Sequence, residues 1–451
     1  MLVSELDKSL GLEVYATNTI GIGGTIRGSV DDFIVEEVLV DGSVARPEKD
    51  SGVQALRASA SRQRYLLCVL IKRNWDTFVA LKKIAAHLGV DQTRIHVAGI
   101  KDAKAVTAQH ITIENVTVED VEEIRVKDVK ILPIGYFRDE LATFYLLGNK
   151  FNIVISKTDR SEKLIRETLA ETMRQLEVMG GIPNFFGHQR FGTIRPNTHL
   201  VGRAIINRDF EQAGMLFLAK PSPHEHPESR QAREELLSTH DFSRALESFP
   251  IQLRFERLML RHLARKPSDF VGAFKRLPFK LQMLFVQAYQ SYLFNRFLSM
   301  RISHGLPLTA AEVGDFVVSV ERSGLPIVKT GKEVGMNSLA ETNEMIKEGR
   351  LRVALPLVGF RQKLSQGTMG EFEERILDSD GANPSSFRVV EIPRISGQGD
   401  LRPVVSPVKE FNVHNIGNDQ INLGFMLFRG SYATMLLREI MKPDDPLAAG
   451  F

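Results

Sequence analysis

The hydrophobic period of this chain changes twice, and that order constrains its fold more than any single residue does. Strands dominate up to about residue 195, helices from 205 to 305, and short strands return from 313 onward. Tyr65 to Ile71 is apolar and partly β-branched, which predicts a strand. Asp76 can cap a helix with apolar positions at Phe78, Leu81, Ile84, Ala85 and Leu88, and Gly89 suits its end. Arg94 to Ala98 reads as a strand running into the loop Gly99-Ile100-Lys101-Asp102-Ala103-Lys104. Thr107 to Ile113 and Phe151 to Ile155 read as further strands. Asp159 with Glu162 resembles a capping box for a helix to Met179, stopped by Gly180-Gly181. Phe279 to His304 predicts one long helix, and Glu371 to Leu377 a short one. Two strands follow, at Val404 to Val413 and Gln420 to Phe428, and Gly430-Ser431 opens a helix to Met441. A domain of strands and helices therefore begins, a helical domain interrupts it, and the first resumes at the C-terminus. Two glycine-rich segments are read as connections. Gly21-Ile22-Gly23-Gly24 fits no phosphate-loop pattern and is expected to turn between two strands. Residues 41 to 64 are polar and small, which predicts a mobile loop.

Composition excludes several classes. At 451 residues the chain exceeds one ordinary core. Its 43% hydrophobic and 25% charged residues exclude wholesale disorder. No run of 18 apolar residues occurs, so no transmembrane helix is expected. The N-terminus lacks the basic start and apolar stretch of a secretory signal. The lone Cys68 cannot form an internal disulfide and sits in an apolar run, as a buried small hydrophobe would. These features predict a soluble, cytoplasmic protein. The net charge of +3 says little, but its distribution says more. Between Ile251 and Arg301 stand Arg254, Arg257, Arg261, Arg265, Lys266, Lys275, Arg276, Lys280, Arg296 and Arg301, against only Glu256 and Asp269.

Three features could carry chemistry. Asp102 lies in a loop directly after a strand, where rigid scaffolds present reactive groups, though Lys-Asp-Ala-Lys also suits a solvated turn. Lys101 would point away from it, so an ion-pair partner should come from another segment. The stretch Asn184-Phe185-Phe186-Gly187-His188-Gln189-Arg190-Phe191-Gly192 interleaves rings with amides and an arginine. It fits a nucleobase pocket, and equally a buried aromatic turn locking two elements together. Arg254, Arg257, Arg261 and Arg265, spaced three, four and four, fall on one helical face and could follow a nucleic-acid backbone. His224-Glu225-His226 sits between prolines without a third ligand at a recognisable spacing, and no HExxH or GxSxG occurs, so no metal is expected. A carboxylate, an aromatic pocket and a basic surface together fit cofactor-free chemistry on a nucleoside within RNA.

Five blocks resemble the TruD family of tRNA pseudouridine synthases. Gly99, Lys101, Asp102, Ala105, Thr107 and Gln109 match its GxKDxxAxTxQ motif, and Asn184 to Gly192 resembles NxFGxQRFG. Asp31-Asp32-Phe33-Ile34-Val35-Glu36-Glu37 is similar to its (D/E)DFxVxE signature. Gln287 to Asn295 resembles its helical block, and Gly430-Ser431-Tyr432-Ala433-Thr434 with Leu437-Arg438-Glu439 its GSYAT…LRE block. The blocks run in family order and span nearly the whole chain, which resembles the longer archaeal and eukaryotic branch. The resemblance implies an α+β fold: a pseudouridine synthase catalytic domain, a mixed, mainly antiparallel sheet with flanking helices, carrying an inserted, helix-rich TRUD domain. The expected division is 1–195 and 401–451 for the catalytic domain and 196–400 for the insertion. The implied reaction turns a uridine of tRNA, typically at position 13, into pseudouridine, without cofactor or metal. A non-catalytic RNA-binding or RNA-chaperone protein is the alternative. The resemblance makes Asp102 the catalytic aspartate, Phe186 the stacking ring and Asn184 a pocket residue. Lys101 and Gln109 join them as motif residues on the substrate side. Arg27 stands where the family has a basic residue, usually lysine. Arg27 and Arg190 both remain candidates to pair with Asp102. The partner implied is tRNA, with a monomer as the default state.

Overall fold

The computed structural model describes residues 2–47, 55–417 and 419–451. The expected mobility of residues 48–54 therefore falls outside the described residues. Beside them the chain is pinned: Ser59 exchanges backbone hydrogen bonds with Tyr136, and Ala55 is buried.

In chain order the strands are β1 (Phe33–Leu39), β2 (Tyr65–Arg73), β3 (Ile95–Val97), β4 (Val106–Glu114), β5 (Val129–Phe137), β6 (Leu146–Ser156), β7 (Ile182–Pro183), β8 (Phe316–Val320), β9 (Pro326–Glu333), β10 (Leu351–Leu357), β11 (Asp400–Pro403), β12 (Val405–Ser406), β13 (Val408–Gly417) and β14 (Gln420–Phe428). Among the described residues an eight-stranded sheet runs β13-β14-β6-β1-β4-β2-β5, with β3 also paired to β4. Only β1 and β4 are parallel within it; the other pairs are antiparallel. A parallel pair needs a crossover, and here β2, the helix Thr77–Leu88 and β3 supply it. The fold is α+β, with a mixed sheet and a helical region.

The return of the chain is written in one register. β14 pairs with β6 from Gln420 opposite Ser156 to Phe428 opposite Gly148. Gly148 is needed there, since a Cβ would lie 2.1 Å from the Leu427 carbonyl oxygen. Between these two partners stand the helices, led by Phe279–Ser303. That helix packs on Thr198–Ile206, buries Phe285, Tyr289, Phe294 and Phe297, and carries β10 of a four-stranded sheet, order β11-β10-β8-β9, on another side. One hydrophobic core runs continuously from Phe33 and Ile153 through Phe186 to Phe294 and Val353. The expected division at residue 401 falls inside β11, which pairs with β10.

Local details differ from expectation in three places. Ser161, not Asp159, caps the helix Glu162–Val178, accepting from the Leu164 N–H. The strand expected from Val404 to Val413 is interrupted at Pro407, which has no N–H to pair, and splits into β12 and β13. Gly21 to Gly24 does not turn between strands. The Ile22 and Gly23 N–H groups donate to the Ile440 and Met441 carbonyls, closing the end of the helix Ala433–Met441. A Cβ on Gly21 would lie 2.2 Å from the Met441 carbonyl oxygen. Asp76 and Gly89 do cap the helix Thr77–Leu88, Gly89 in the left-handed conformation. Among the described residues no helix is long and apolar enough to cross a membrane.

Candidate active site

The loop between β3 and β4 is short, and it is fixed from below. Lys72, at the end of β2 and without exposed surface, donates from Nζ to the Asp102 carbonyl at 2.6 Å. Thr77 Oγ1 donates to the Lys101 carbonyl at 3.2 Å, and Gln109 Nε2 to the Gly99 carbonyl at 3.0 Å. Burial draws the Lys72 ammonium down to about 8, with the Asp102 charge opposing. Lys101 turns inward, where its Nζ lies 2.6 Å from Glu37 Oε2. Glu37 also accepts the His110 N–H at 2.9 Å. Burial alone would raise Glu37, but Lys101 and His110 outweigh it and hold this carboxyl below its ordinary value.

Asp102 turns the other way, into a cleft of ≈ 990 Å³. Its Oδ1 meets Arg27 Nη2 at 3.3 Å and Gln189 Nε2 at 3.1 Å. Arg27 comes from the segment before β1, in a left-handed conformation (φ 59°). Its guanidinium lies 4.4 Å from the centre of the Phe33 ring, and Nη1 donates to the Gly450 carbonyl at 3.0 Å. The cleft is completed by Asn149 on β6, Lys104, Thr193, Arg429, Tyr432 and Thr434. The chain thus brings the Asp102 carboxylate, two guanidinium groups, an ammonium, amides and one phenol ring from five separated segments to one concavity.

The other residues expected on the substrate side make structural contacts, and of them only Lys101 also borders the cleft among the described residues. Lys101 is the buried partner of Glu37 and is not a free cation for substrate. Gln109 is fully buried and holds the loop backbone. Asn184 donates to the Pro403 carbonyl and accepts from Arg402 Nη2 at 2.7 Å, away from the cleft lining. Phe186 is 7% exposed, edge-on to Phe294 at 5.6 Å and under Arg402 at 4.0 Å. Tyr432, which does line the cleft, packs against Phe186 at 6.2 Å. Arg190 donates to Ser291 Oγ at 3.0 Å and does not reach Asp102. So Arg27, not Arg190, pairs with Asp102. The aromatic segment divides: its first half locks the long helix against β11, and Gln189 and Gly192 reach the cleft.

The arginine stripe divides as well. Arg254 and Arg261 are exposed on the helix Arg254–Leu263, and Arg265 is exposed beyond its end. Arg257 is half-buried and donates to the Leu246 and Phe249 carbonyls at 2.7 and 2.6 Å, so it closes the preceding helix, Phe242–Ser248. Burial removed it from the surface face its spacing assigned.

Residues not singled out from the sequence also belong here. Gln189 and Tyr432 sat inside recognised blocks without a separate signal. Lys72 had only the oddity of a lysine ending an apolar strand. Arg402, half-buried between Phe186 and Asn184 and drawn down to about 10 by desolvation, had none.

The family model described as tRNA pseudouridine synthase D (TruD) matches residues 9–440. A Methanosarcina acetivorans protein named a probable tRNA pseudouridine synthase D is 39% identical over 451 residues, 98% of either chain. One of the same name from Thermococcus onnurineus is 36% identical, covering 95% of this chain and 97% of that one. The Methanosarcina mazei protein whose crystal structure is titled "Putative tRNA pseudouridine synthase D (TruD)" superposes with a TM-score of 0.83 at 36% identity, over 98% of this chain and 99% of that one.

Proposed function

Since this chain belongs to the tRNA pseudouridine synthase D (TruD) family, and is an isomerase of that type, we propose that it isomerises one uridine of tRNA, at position 13, through Asp102. Residues 1–195 and 401–451 would then be the catalytic domain and 196–400 the inserted TRUD domain.

The reaction sets the requirements. The N1–C1′ bond breaks, the uracil turns, and C5 bonds to C1′. Nothing is oxidised and no group enters or leaves, so the atoms balance without a cofactor. One carboxylate suffices, as nucleophile at C1′ or as base at C2′. Both contacts to Asp102 fall on Oδ1, so among the described residues Oδ2 is the oxygen left to face the sugar. Arg27 and Gln189 fix the orientation of the carboxyl through Oδ1. The base must leave its stack at a cost of about a few kcal/mol. Stacking in the pocket returns roughly 1–3 kcal/mol. Tyr432 offers the ring on the cleft side, with Phe186 packed behind it. Arg254, Arg261 and Arg265 would follow the tRNA backbone; Arg257 would not.

The observation that carries this reading is the Asp102 carboxylate in the cleft, clasped by Arg27 and Gln189. A tRNA transcript with tritium at uracil C5 tests it, because forming the new bond releases that label. Asp102→Asn should release none while still binding tRNA. Continued release by that variant removes Asp102 from the chemistry.

A further inference from the structure

The cleft ends against a second cavity of ≈ 590 Å³ that the reaction does not use. Two stretches of chain pass from one to the other. Gly192, Thr193 and Ile194 line the cleft, and Arg195, Pro196 and Asn197 line the cavity. At the C-terminal end, Gly450 and Phe451 line the cleft, and Asp444 to Pro446 the cavity. His224 and Leu447 line both, so they form the ridge between them.

The wall carrying His224 is built rather than loose. Ser222 Oγ donates to the Ile194 carbonyl at 2.6 Å, and the Ser222 N–H donates to Glu225 Oε1 at 2.9 Å. Glu225 in turn accepts from Arg233 Nε at 3.0 Å. Arg233, 1% exposed, also reaches Glu256 at 2.7 Å and the Leu218 carbonyl at 2.7 Å. A buried ionic group with its partners satisfied holds one geometry. The proline-bounded connector thus fixes the exposed His224 on the ridge. The cavity itself offers flat apolar walls at Pro196, Leu200 and Pro223. Its floor includes His199, stacked on Tyr292 at 5.0 Å and held neutral because burial pushes it down to about 3. Lys220 adds an exposed cation at the rim.

A uridine in the cleft is one unit of a polymer, so the strand must cross a rim with its next unit. We propose that the second cavity takes the base of the nucleotide adjacent to the target uridine, with the His224 ring standing between the two bases. This rests on the cleft being the uridine site. Its volume admits a flat heteroaromatic group, and stacking on the exposed His224 ring tolerates any base.

The test uses the full chain and tritium-labelled transcripts carrying one abasic site, either next to the target on each side or three nucleotides away. Single-turnover release is compared for the parent protein, Leu200→Trp, which fills the cavity, and His224→Ala, at an exposed position. The expected result is a loss of roughly tenfold for one adjacent abasic site and none for the distant ones. Either variant should lose rate on intact RNA, and the abasic site should then cost it little more, because both changes remove the same contact. Equal rates with and without both adjacent bases, or losses that simply multiply, overturn the proposal. Absence of release from intact RNA by the parent protein would instead refute the uridine reading, and this inference with it.

Discussion

Glu37→Gln isolates what holds the reactive loop. Glu37 is fully buried, its Lys101 partner is 3% exposed at the side chain, and the two meet at 2.6 Å. The substitution keeps an oxygen for the His110 N–H but can place an amide N–H₂ against the Lys101 ammonium. A buried cation is then left without its anion, which typically costs about 3–5 kcal/mol. Lys101→Met in the same chain removes that stranded charge, so the double variant should recover more than half of the loss. The sign with pH follows from Glu37 lying below its ordinary value. Its stabilisation is fully present above about 4.5 and is lost as pH falls through the depressed folded value. Urea unfolding at pH 7 and at pH 4 reads the difference, and tritium release reads the consequence for the adjacent Asp102. A cost below about 1 kcal/mol at pH 7, or a double variant as unstable as the single, would refute the reasoning.

Other positions separate structure from substrate contact. Arg257→Ala should cost about 1–3 kcal/mol in urea, by leaving the Leu246 and Phe249 carbonyls unpaired, and leave the salt dependence of tRNA binding unchanged. Arg261→Ala should do the reverse, with little change in stability and a log–log salt slope shallower by roughly one. Gly450→Ala places a Cβ 2.3 Å from the Ile26 carbonyl oxygen at a φ of 92°, and Gly450 accepts from Arg27. Its kcat should fall roughly ten- to a hundredfold with KM for tRNA nearly constant; a KM effect alone would contradict a positioning role. Burial raises Glu373 to about 8. The native state therefore keeps a proton that the unfolded chain loses, and stability should fall from about pH 4.5 to about 8, by up to about 1.4 kcal/mol per unit. Glu373→Gln should flatten that slope in urea midpoints taken at pH 5 and pH 8.

Residues acting through their neighbours in the chain were legible. β14 spans the same residues, Gln420 to Phe428, at which a strand is expected, and the long helix Phe279–Ser303 differs by one residue from its expected end. Asp76 and Gly89 capped as their types require. The opposed directions of Lys101 and Asp102 followed from strand geometry, as did the need for a distant cation. Where contact partners come from far away, local reading stopped. Nothing near Asn184 or Phe186 indicates that Arg402, more than two hundred positions later, will occupy both. Nothing in the spacing of four arginines separates the one that closes a neighbouring helix from those facing water.

The sequence by itself determined most of the elements, their order and the family, because hydrophobic period, caps and motif residues act over a few positions. Tertiary structure alone decided that β6 receives β14, that Arg27 and not Arg190 meets Asp102, and that Gly450 holds Arg27. Those contacts join segments with no local relation, and they form only when burial of the shared core brings the segments together.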